Sequence, residues 1–196
     1  MNSHSWSVIL VTSVCNIAYE IFTTILASNV AFEYNIFNYI QKGGSMQFLK
    51  NENAMRNGLI FKKAYTILNT ELQGAARNKN KEDMKLIVPV AVNCAFACEL
   101  FLKALLPTGT RGHKLYQDLF INLENATANL IQNTVVSIMN DNRPPYSESE
   151  FINDMTIHEA AFEKWRYFHE GNTHACFDIR FMDVLLQVLN TVCTAR

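Results

Sequence analysis

The chain has 196 residues and a formal net charge of −1. This length suits one domain with a substantial core, and a hydrophobic content of 49% excludes an intrinsically disordered chain. The near-zero net charge excludes a global electrostatic attraction to nucleic acid, so that any RNA contact would need a local basic patch.

The first 45 residues form an apolar segment that precedes a predicted domain over residues 46–196. The run SWSVILVTSVCNIAYEIFTTILASNVAF is close to membrane-spanning length, but Glu20 and several Ser, Thr and Asn residues make it a marginal span. An amphipathic packing helix fits it equally well, and we expect no firm membrane association. Alternatively, the purine-rich codons for Lys-Gly-Gly in QKGGSM are a ribosome-binding site just upstream of Met46. Translation would then start at Met46, and residues 1–45 would be a leader included in the reading frame by error.

Helical spacing dominates the rest of the chain, because the few Gly and Pro residues lie mostly in QKGGS, LLPTGTRG and DNRPPYS. No stretch alternates apolar and polar residues between turn signals, as a β-hairpin would. The apolar spacing predicts helices over residues 54–76, 88–106, 113–123, 126–139, 160–170 and 177–193. Asp178 suits the first turn of the last helix. The predicted fold is an all-α, antiparallel helical bundle.

The segment 88–106 is predicted to form the centre of this bundle. Nearly every residue after Pro89 is apolar, so other helices must surround it. Glu99 and Lys103 lie about 40° apart on a helical wheel and form a narrow polar stripe with Asn93. Because unpaired burial of a charged group costs several kcal/mol, both charges need partners.

The five cysteines indicate a reducing compartment. Their number is odd, and Cys94 and Cys98 lie one helical turn apart in an apolar run. This spacing differs from the Cys-x-x-Cys of structural zinc sites and predicts buried free thiols. We therefore expect a cytoplasmic protein without disulfides. No metal cluster, phosphate loop or nucleophile elbow occurs in the sequence, and no metal or cofactor is expected.

A second polar stripe lies in the stretch EKWRYFHEGNTH. On a helix, Arg166 and Glu170 lie one turn apart, whereas Trp165 points towards the core. We predict that the two polar stripes face one another. Arg166 would then pair with Glu99. Lys103 would pair with Glu170.

The segments VNCAFACELFLKALL, RGHKLYQDLF and AFEKWRYFHE, followed by a final apolar helix, together resemble the HEPN superfamily. The matching residues are Glu99, Lys103, Gly112, His113, Leu115, Arg166, Tyr167 and Glu170. The likeness covers residues 54–192. It implies a small α-helical bundle of the kind found in bacterial toxin–antitoxin, abortive-infection and CRISPR-linked systems, and it implies a homodimer.

The resemblance also implies that active members are metal-independent ribonucleases, with an Arg followed after four to six intervening residues by a His. In such chemistry His moves protons, Arg holds the phosphate and the RNA 2′-hydroxyl attacks. After Arg166, the required positions 171–173 hold Gly, Asn and Thr. His169 comes too early and His174 too late. The ribonuclease signature is therefore missing.

Two classes of function remain open. The first is a non-catalytic HEPN-like module of a bacterial defence or toxin–antitoxin type system that binds RNA, a nucleotide or a partner protein encoded by an adjacent gene. The alternative is a metal-independent endoribonuclease that acts as a homodimer, with Arg166, His169 and His174 as its catalytic residues. The other polar residues, which form a ligand site or a structural network, are Glu99, Lys103, His113 and Glu170.

Overall fold

The computed structural model describes residues 49–80, 82–142, 145–167 and 177–194. Within these ranges the chain is helical and has no strand, which confirms the predicted all-α class. The helices are α1 (Glu52–Arg77), α2 (Ile87–Ala104), α3 (Asn125–Asn142), α4 (Glu148–Ile157), α5 (Ala161–Arg166) and α6 (Ile179–Thr194). The apolar segment 1–45, with its alternative interpretations, lies outside the described residues.

Helix α2 lies at the centre of the molecule, as predicted, and contacts α1, α5 and α6. The residues of α2 without exposed surface are Val90, Ala91, Cys94, Ala95, Ala97, Cys98, Phe101, Leu102 and Ala104. Most of them are Ala or Cys, whose small side chains let the surrounding helices approach closely. By length and composition alone, Asp83–Ala104 could cross a membrane. A helix at the centre of a globular core meets the same criteria.

Side-chain caps define where two of the long helices begin. At the start of α1, Asn51 Oδ1 accepts a hydrogen bond of 3.1 Å from the Ala54 backbone N–H. At the start of α6, Asp178 Oδ1 accepts the backbone N–H groups of Arg180 and Phe181 at 2.9 and 3.1 Å. These bonds satisfy donors that have no partner within a helix. The predicted role of Asp178 at a helix start is confirmed.

Three regions differ from the predicted helices. Within residues 113–123 the chain forms a π-helical turn (Leu115–Leu119) and a short 3-10 turn (Phe120–Asn122) instead of an α-helix, and Leu115 and Leu119 are buried. Helix α4 was not predicted. Helix α5 ends at Arg166, so the predicted helix over 160–170 is shorter than expected within the described residues.

Candidate functional site

Glu99, Lys103 and His113 form a polar cluster at the end of α2, which we call the Glu99 cluster. The Glu99 side chain is 1% exposed, and its Oε1 accepts a 2.8 Å hydrogen bond from Lys103 Nζ. The same oxygen lies 2.8 Å from Nδ1 of His113, whose side chain is 57% exposed. One buried carboxylate thus holds an ammonium group on its own helix and an imidazole from the following loop.

The loop that carries His113 has a fixed shape. Asp118 Oδ2 accepts the backbone N–H groups of His113 and Lys114 at 3.0 and 3.1 Å. The hydrogen bonds from the backbone N–H groups of Lys114 and His113 hold the pKa of the Asp118 carboxyl below its usual value. Gly112 has a φ of +104°, and a Cβ there would lie 2.5 Å from Asp118 Cβ. The loop can therefore close in this form only with glycine at this position.

The contact with Glu99 determines the protonation pattern of the His113 ring. An ionised carboxylate can only accept a hydrogen bond, so Nδ1 must carry a proton. In the neutral ring, Nε2 is then left as an acceptor, and it has no partner among the described residues. A buried carboxylate thus orients a solvent-exposed imidazole whose outer nitrogen can accept a proton or contact a ligand.

The second oxygen of Glu99, Oε2, is buried and receives no hydrogen bond from the residues that the structure describes. Leaving a buried carboxylate oxygen without a donor is costly, typically by about 1–3 kcal/mol or more for a charged group. Among the described residues, neither Glu99 Oε2 nor His113 Nε2 has a hydrogen-bond partner, and of the two only Nε2 belongs to an exposed side chain.

The predicted pairing of Arg166 with Glu99 is wrong. The Arg166 guanidinium lies over the rings of Phe162 and Tyr167, 5.0 and 4.5 Å from their centroids, and donates to Tyr167 Oη at 2.7 Å. Phe162 stacks on Phe96 of α2 at a centroid distance of 4.4 Å. An aromatic layer, and not an ion pair, therefore joins α5 to α2 at this point. The Arg166 side chain lies on the exposed end of that layer.

Of the predicted site residues Lys103, Glu170, His169 and His174, the structure describes Lys103 but not the other three. Lys103 pairs with Glu99 on its own helix, whereas its predicted partner Glu170 lies outside the described residues. His169 and His174 lie outside them too. Of the three predicted catalytic residues, Arg166 is thus the one that the structure places, and it is exposed and forms no ion pair with a carboxylate among the described residues.

The structure also places the thiols. Cys94, Cys98 and Cys193 are free and buried, which confirms the predicted role of Cys94 and Cys98 in the core. Burial raises the pKa of the Cys193 thiol to about 12 and that of Cys94 well above its usual value. Such thiols are poor nucleophiles. In the described part of the chain, no group of three or more His, Cys, Asp and Glu side chains is close enough to hold a metal ion.

A second buried carboxylate, Asp183 of α6, was not predicted as a polar residue of interest. Its Oδ1 accepts a 2.7 Å hydrogen bond from Tyr65 Oη, and Gln187 Nε2 lies 3.5 Å away. Tyr65 Oη accepts in turn from Asn69 Nδ2 at 3.2 Å. Burial raises the pKa of Asp183, and burial followed by the nearby Asp183 charge raises that of Tyr65. We call these four residues the Asp183 cluster.

His158 has a defined structural role. Its Nδ1 donates to the Asp154 carbonyl oxygen at 2.7 Å, and its Nε2 accepts the Asp178 backbone N–H at 2.8 Å. The ring thus joins the end of α4 to the start of α6 in its neutral form. Burial lowers its pKa. With both nitrogens occupied, His158 is a structural link and not a free base.

Two sequence signals could have revealed these missed features. Asp183 lies in the apolar stripe FMDVLLQVL, where a charged residue needs an explanation. Ser147 and Glu150 have the spacing of a capping box, and the Glu150 carboxylate accepts the Ser147 backbone N–H in the structure. That spacing would have predicted the start of α4.

No protein-family model, curated protein or solved structure matches the chain.

Proposed function

We propose that this protein is a HEPN-like helical module of a bacterial defence or toxin–antitoxin type system, acting in the cytoplasm. In this proposal it does not cleave its ligand, but binds RNA, a nucleotide or a partner protein encoded by an adjacent gene, and it works as a homodimer. The missing Arg-to-His spacing favours binding over cleavage.

The observation that carries this proposal is the convergence of Glu99, Lys103 and His113. These residues belong to two separate segments of the resemblance, and the folded chain brings them within 2.8 Å contacts. A surface chosen only for stability would gain little from orienting a half-exposed histidine with a buried carboxylate, since burial of that carboxylate is itself costly. The arrangement suits a ligand site at the mouth of the loop.

The charges around His113 favour a ligand that bears phosphate. Arg111 lies two residues away in the same loop, is exposed and forms no ion pair among the described residues. Lys114, by contrast, pairs with Glu159 at 3.1 Å. The Arg111 guanidinium can grip a phosphate with two parallel N–H groups, while Nε2 of the neutral His113 ring accepts a hydrogen bond from an adjacent ligand hydroxyl. Among the proposed ligands, this geometry favours RNA or a nucleotide.

Binding to single-stranded RNA of mixed sequence and to ATP tests the proposal, with fluorescence anisotropy and NMR shift mapping as the measurements. Arg111→Ala and His113→Ala should each lower affinity about tenfold, because the first removes a contact to phosphate and the second a contact to a ligand hydroxyl, each worth roughly 1–2 kcal/mol. Lys85→Ala is the matched control, because Lys85 is an exposed cation on another turn. Equal binding by all variants would contradict the proposed site.

A second candidate function is supported by the His113 contact itself. A carboxylate that orients an imidazole with a free Nε2 is the arrangement of a general base. In an endoribonuclease, Nε2 would take the proton of the 2′-hydroxyl as the 2′-oxygen bonds to phosphorus and the bond to the 5′-oxygen breaks. A general acid such as His169 or His174 would protonate that 5′-oxygen. The products would be a 2′,3′-cyclic phosphate and a 5′-hydroxyl.

RNA cleavage by the purified full chain in the presence of EDTA separates the two candidates. Cleavage with a 2′,3′-cyclic product that His113→Ala abolishes would establish the ribonuclease. His169→Ala, His174→Ala and Arg166→Ala then identify the remaining groups. Binding without cleavage by the wild-type protein would support the non-catalytic module.

A further inference from the structure

One face of α1 exposes large apolar side chains. Ile60 is 64% exposed, Ile67 is 57% exposed and Leu59 is 38% exposed. Single exposed apolar residues are common on protein surfaces, but a set that shares one helix face indicates an interaction surface. The opposite face of α1 is already occupied. Gly58 there lies so close to α2 that a Cβ would be 2.9 Å from the Phe101 ring.

The exposed face has a symmetric pattern. Arg56, Ile60, Ile67 and Glu71 follow one another at intervals of four, seven and four residues. At 100° per residue they lie within about 60° of one another, along roughly 22 Å of the helix. Ala64, a small residue, lies between the two isoleucines on the same side. The order along the helix is thus cation, apolar, small, apolar and anion, and we call it the α1 stripe.

This order is complementary to its own reverse. If a second α1 packs antiparallel with the two-fold axis between Lys63 and Ala64, each Ile60 meets Ile67 of the second copy and each Arg56 meets Glu71. Both kinds of contact then occur twice, as a two-fold axis requires. A parallel arrangement would instead place like charges together. We propose that the α1 stripe is the interface of an antiparallel, two-fold homodimer of this chain.

The charged residues of the stripe are available for this pairing. Glu71 is exposed and has no partner among the described residues. Arg56 contacts Glu52 at 3.3 Å, but both side chains are about 70% exposed. Such an exposed pair is weak and can exchange for a partner across an interface. Lys63 lies beside the stripe, where its aliphatic stem can cover apolar surface while its ammonium group stays in water.

The homodimer is part of the proposed function, and this inference assigns its surface. The stripe includes no residue of the Glu99 cluster, so the failure of one proposal is distinguishable from the failure of the other. A monomeric chain that still bound RNA through His113 would contradict the dimer proposal but not the proposed ligand site. A dimer that bound no RNA or nucleotide would contradict the proposed ligand site but not the dimer proposal.

Sedimentation equilibrium of the full chain tests the interface. The wild-type protein should approach twice its 22.4 kDa mass with rising concentration. Ile60→Asp and Ile67→Asp should each raise the dimer dissociation constant at least tenfold. Ile121→Asp is the matched control, because Ile121 is 58% exposed outside α1. Circular dichroism should show unchanged helicity in all three, since each position is exposed.

Charge reversal tests the antiparallel arrangement. Arg56→Glu alone and Glu71→Arg alone should each raise the dissociation constant, whereas the double variant should return it to within about threefold of wild type. A wild-type monomer at every concentration would overturn the proposal, and so would a dimer that Ile60→Asp leaves intact. A monomer in which an Ile60→Cys thiol resists labelling would show that another segment of the same chain covers the stripe.

Discussion

Glu99 and Asp183 are both carboxylates in the same core, 1% and 5% exposed, yet their surroundings differ in kind. Glu99 contacts an ammonium group and an imidazole. Asp183 contacts a phenol and an amide and has no cation within ion-pair distance among the described residues. The Glu99 cluster opens to the surface through His113, whereas Asp183 and its partner Tyr65 are both buried.

The difference shows that the partner of a buried carboxylate decides how much of the cost of its lost hydration is offset. An opposite charge offsets the loss of hydration, whereas neutral donors offset it only in part. This is why burial raises the pKa of Asp183. It also suggests different roles. Asp183 links α1 to α6 through Tyr65, and Glu99 positions a side chain that solvent and ligands can reach.

The largest expected effect comes from removing the cation beside Glu99. Lys103→Met keeps most of the side-chain volume but leaves Glu99 with the imidazole alone. We expect the free energy of unfolding to fall by about 3 kcal/mol, because a buried charge loses its compensating partner. Chemical denaturation at neutral pH measures it. In the Glu99→Gln background the same change should cost much less, and equal costs in both backgrounds would contradict the pairing.

The next largest loss of stability should come from a substitution in the loop that carries His113. Gly112→Ala forces a positive φ and a contact with Asp118, and we expect a loss of about 2–3 kcal/mol. Gly109→Ala is the matched comparison, because Gly109 has a φ of +91° but no heavy atom within 4 Å of an added Cβ. Its loss should be about 1 kcal/mol. Thermal unfolding measures both, and the reverse order would show that the Asp118 contact is not limiting.

A substitution of Asp183 should raise the free energy of unfolding, whereas removal of the cation beside Glu99 should lower it. Asp183→Asn keeps an acceptor for Tyr65 and removes a poorly compensated charge, so we expect stability at pH 7 to rise by about 1 kcal/mol. Because the folded-state pKa is raised, the wild-type penalty develops as pH rises above the usual carboxyl value of 3.8. The gain should therefore shrink as pH falls towards 3.8. Denaturation across this range tests both the sign and the trend.

The smallest effect should come from a carboxylate at the surface. Glu124 contacts Lys50 at 2.6 Å, closer than Lys103 lies to Glu99, but its side chain is 68% exposed. Water and salt screen such a pair, and Glu124→Gln should change stability by less than about 0.5 kcal/mol. A loss as large as that of Lys103→Met would show that distance, and not burial, determines these energies.

The sequence predicted the fold class and the central helix, because apolar spacing alone shows which segment must be surrounded. It also placed Glu99 and Lys103 on one stripe. It could not predict the pairing of Arg166, because a helical wheel fixes angles within a helix but not the rotation of α5 against α2. The stack of Phe162 on Phe96 decides that rotation.

The contact of His113 with Glu99 was also beyond the sequence. Fourteen residues separate the two, and the loop between them closes through the positive φ of Gly112 and the bonds to Asp118. Both features are local, but the sequence does not show that together they place the His113 ring beside Glu99. His158 illustrates the same limit, since its Nε2 acts on a backbone group twenty residues away.

The tautomer of the neutral His113 ring shows whether Glu99 orients this side chain. Nitrogen-15 NMR of the full chain, at a pH where the ring is neutral, distinguishes a proton on Nδ1 from one on Nε2. We expect the Nδ1–H form, because Nδ1 donates to Glu99, and His158 should show the same form through its bond to the Asp154 carbonyl oxygen. An Nε2–H form at His113, with Nδ1–H kept at His158, would contradict the claim that Glu99 orients this ring.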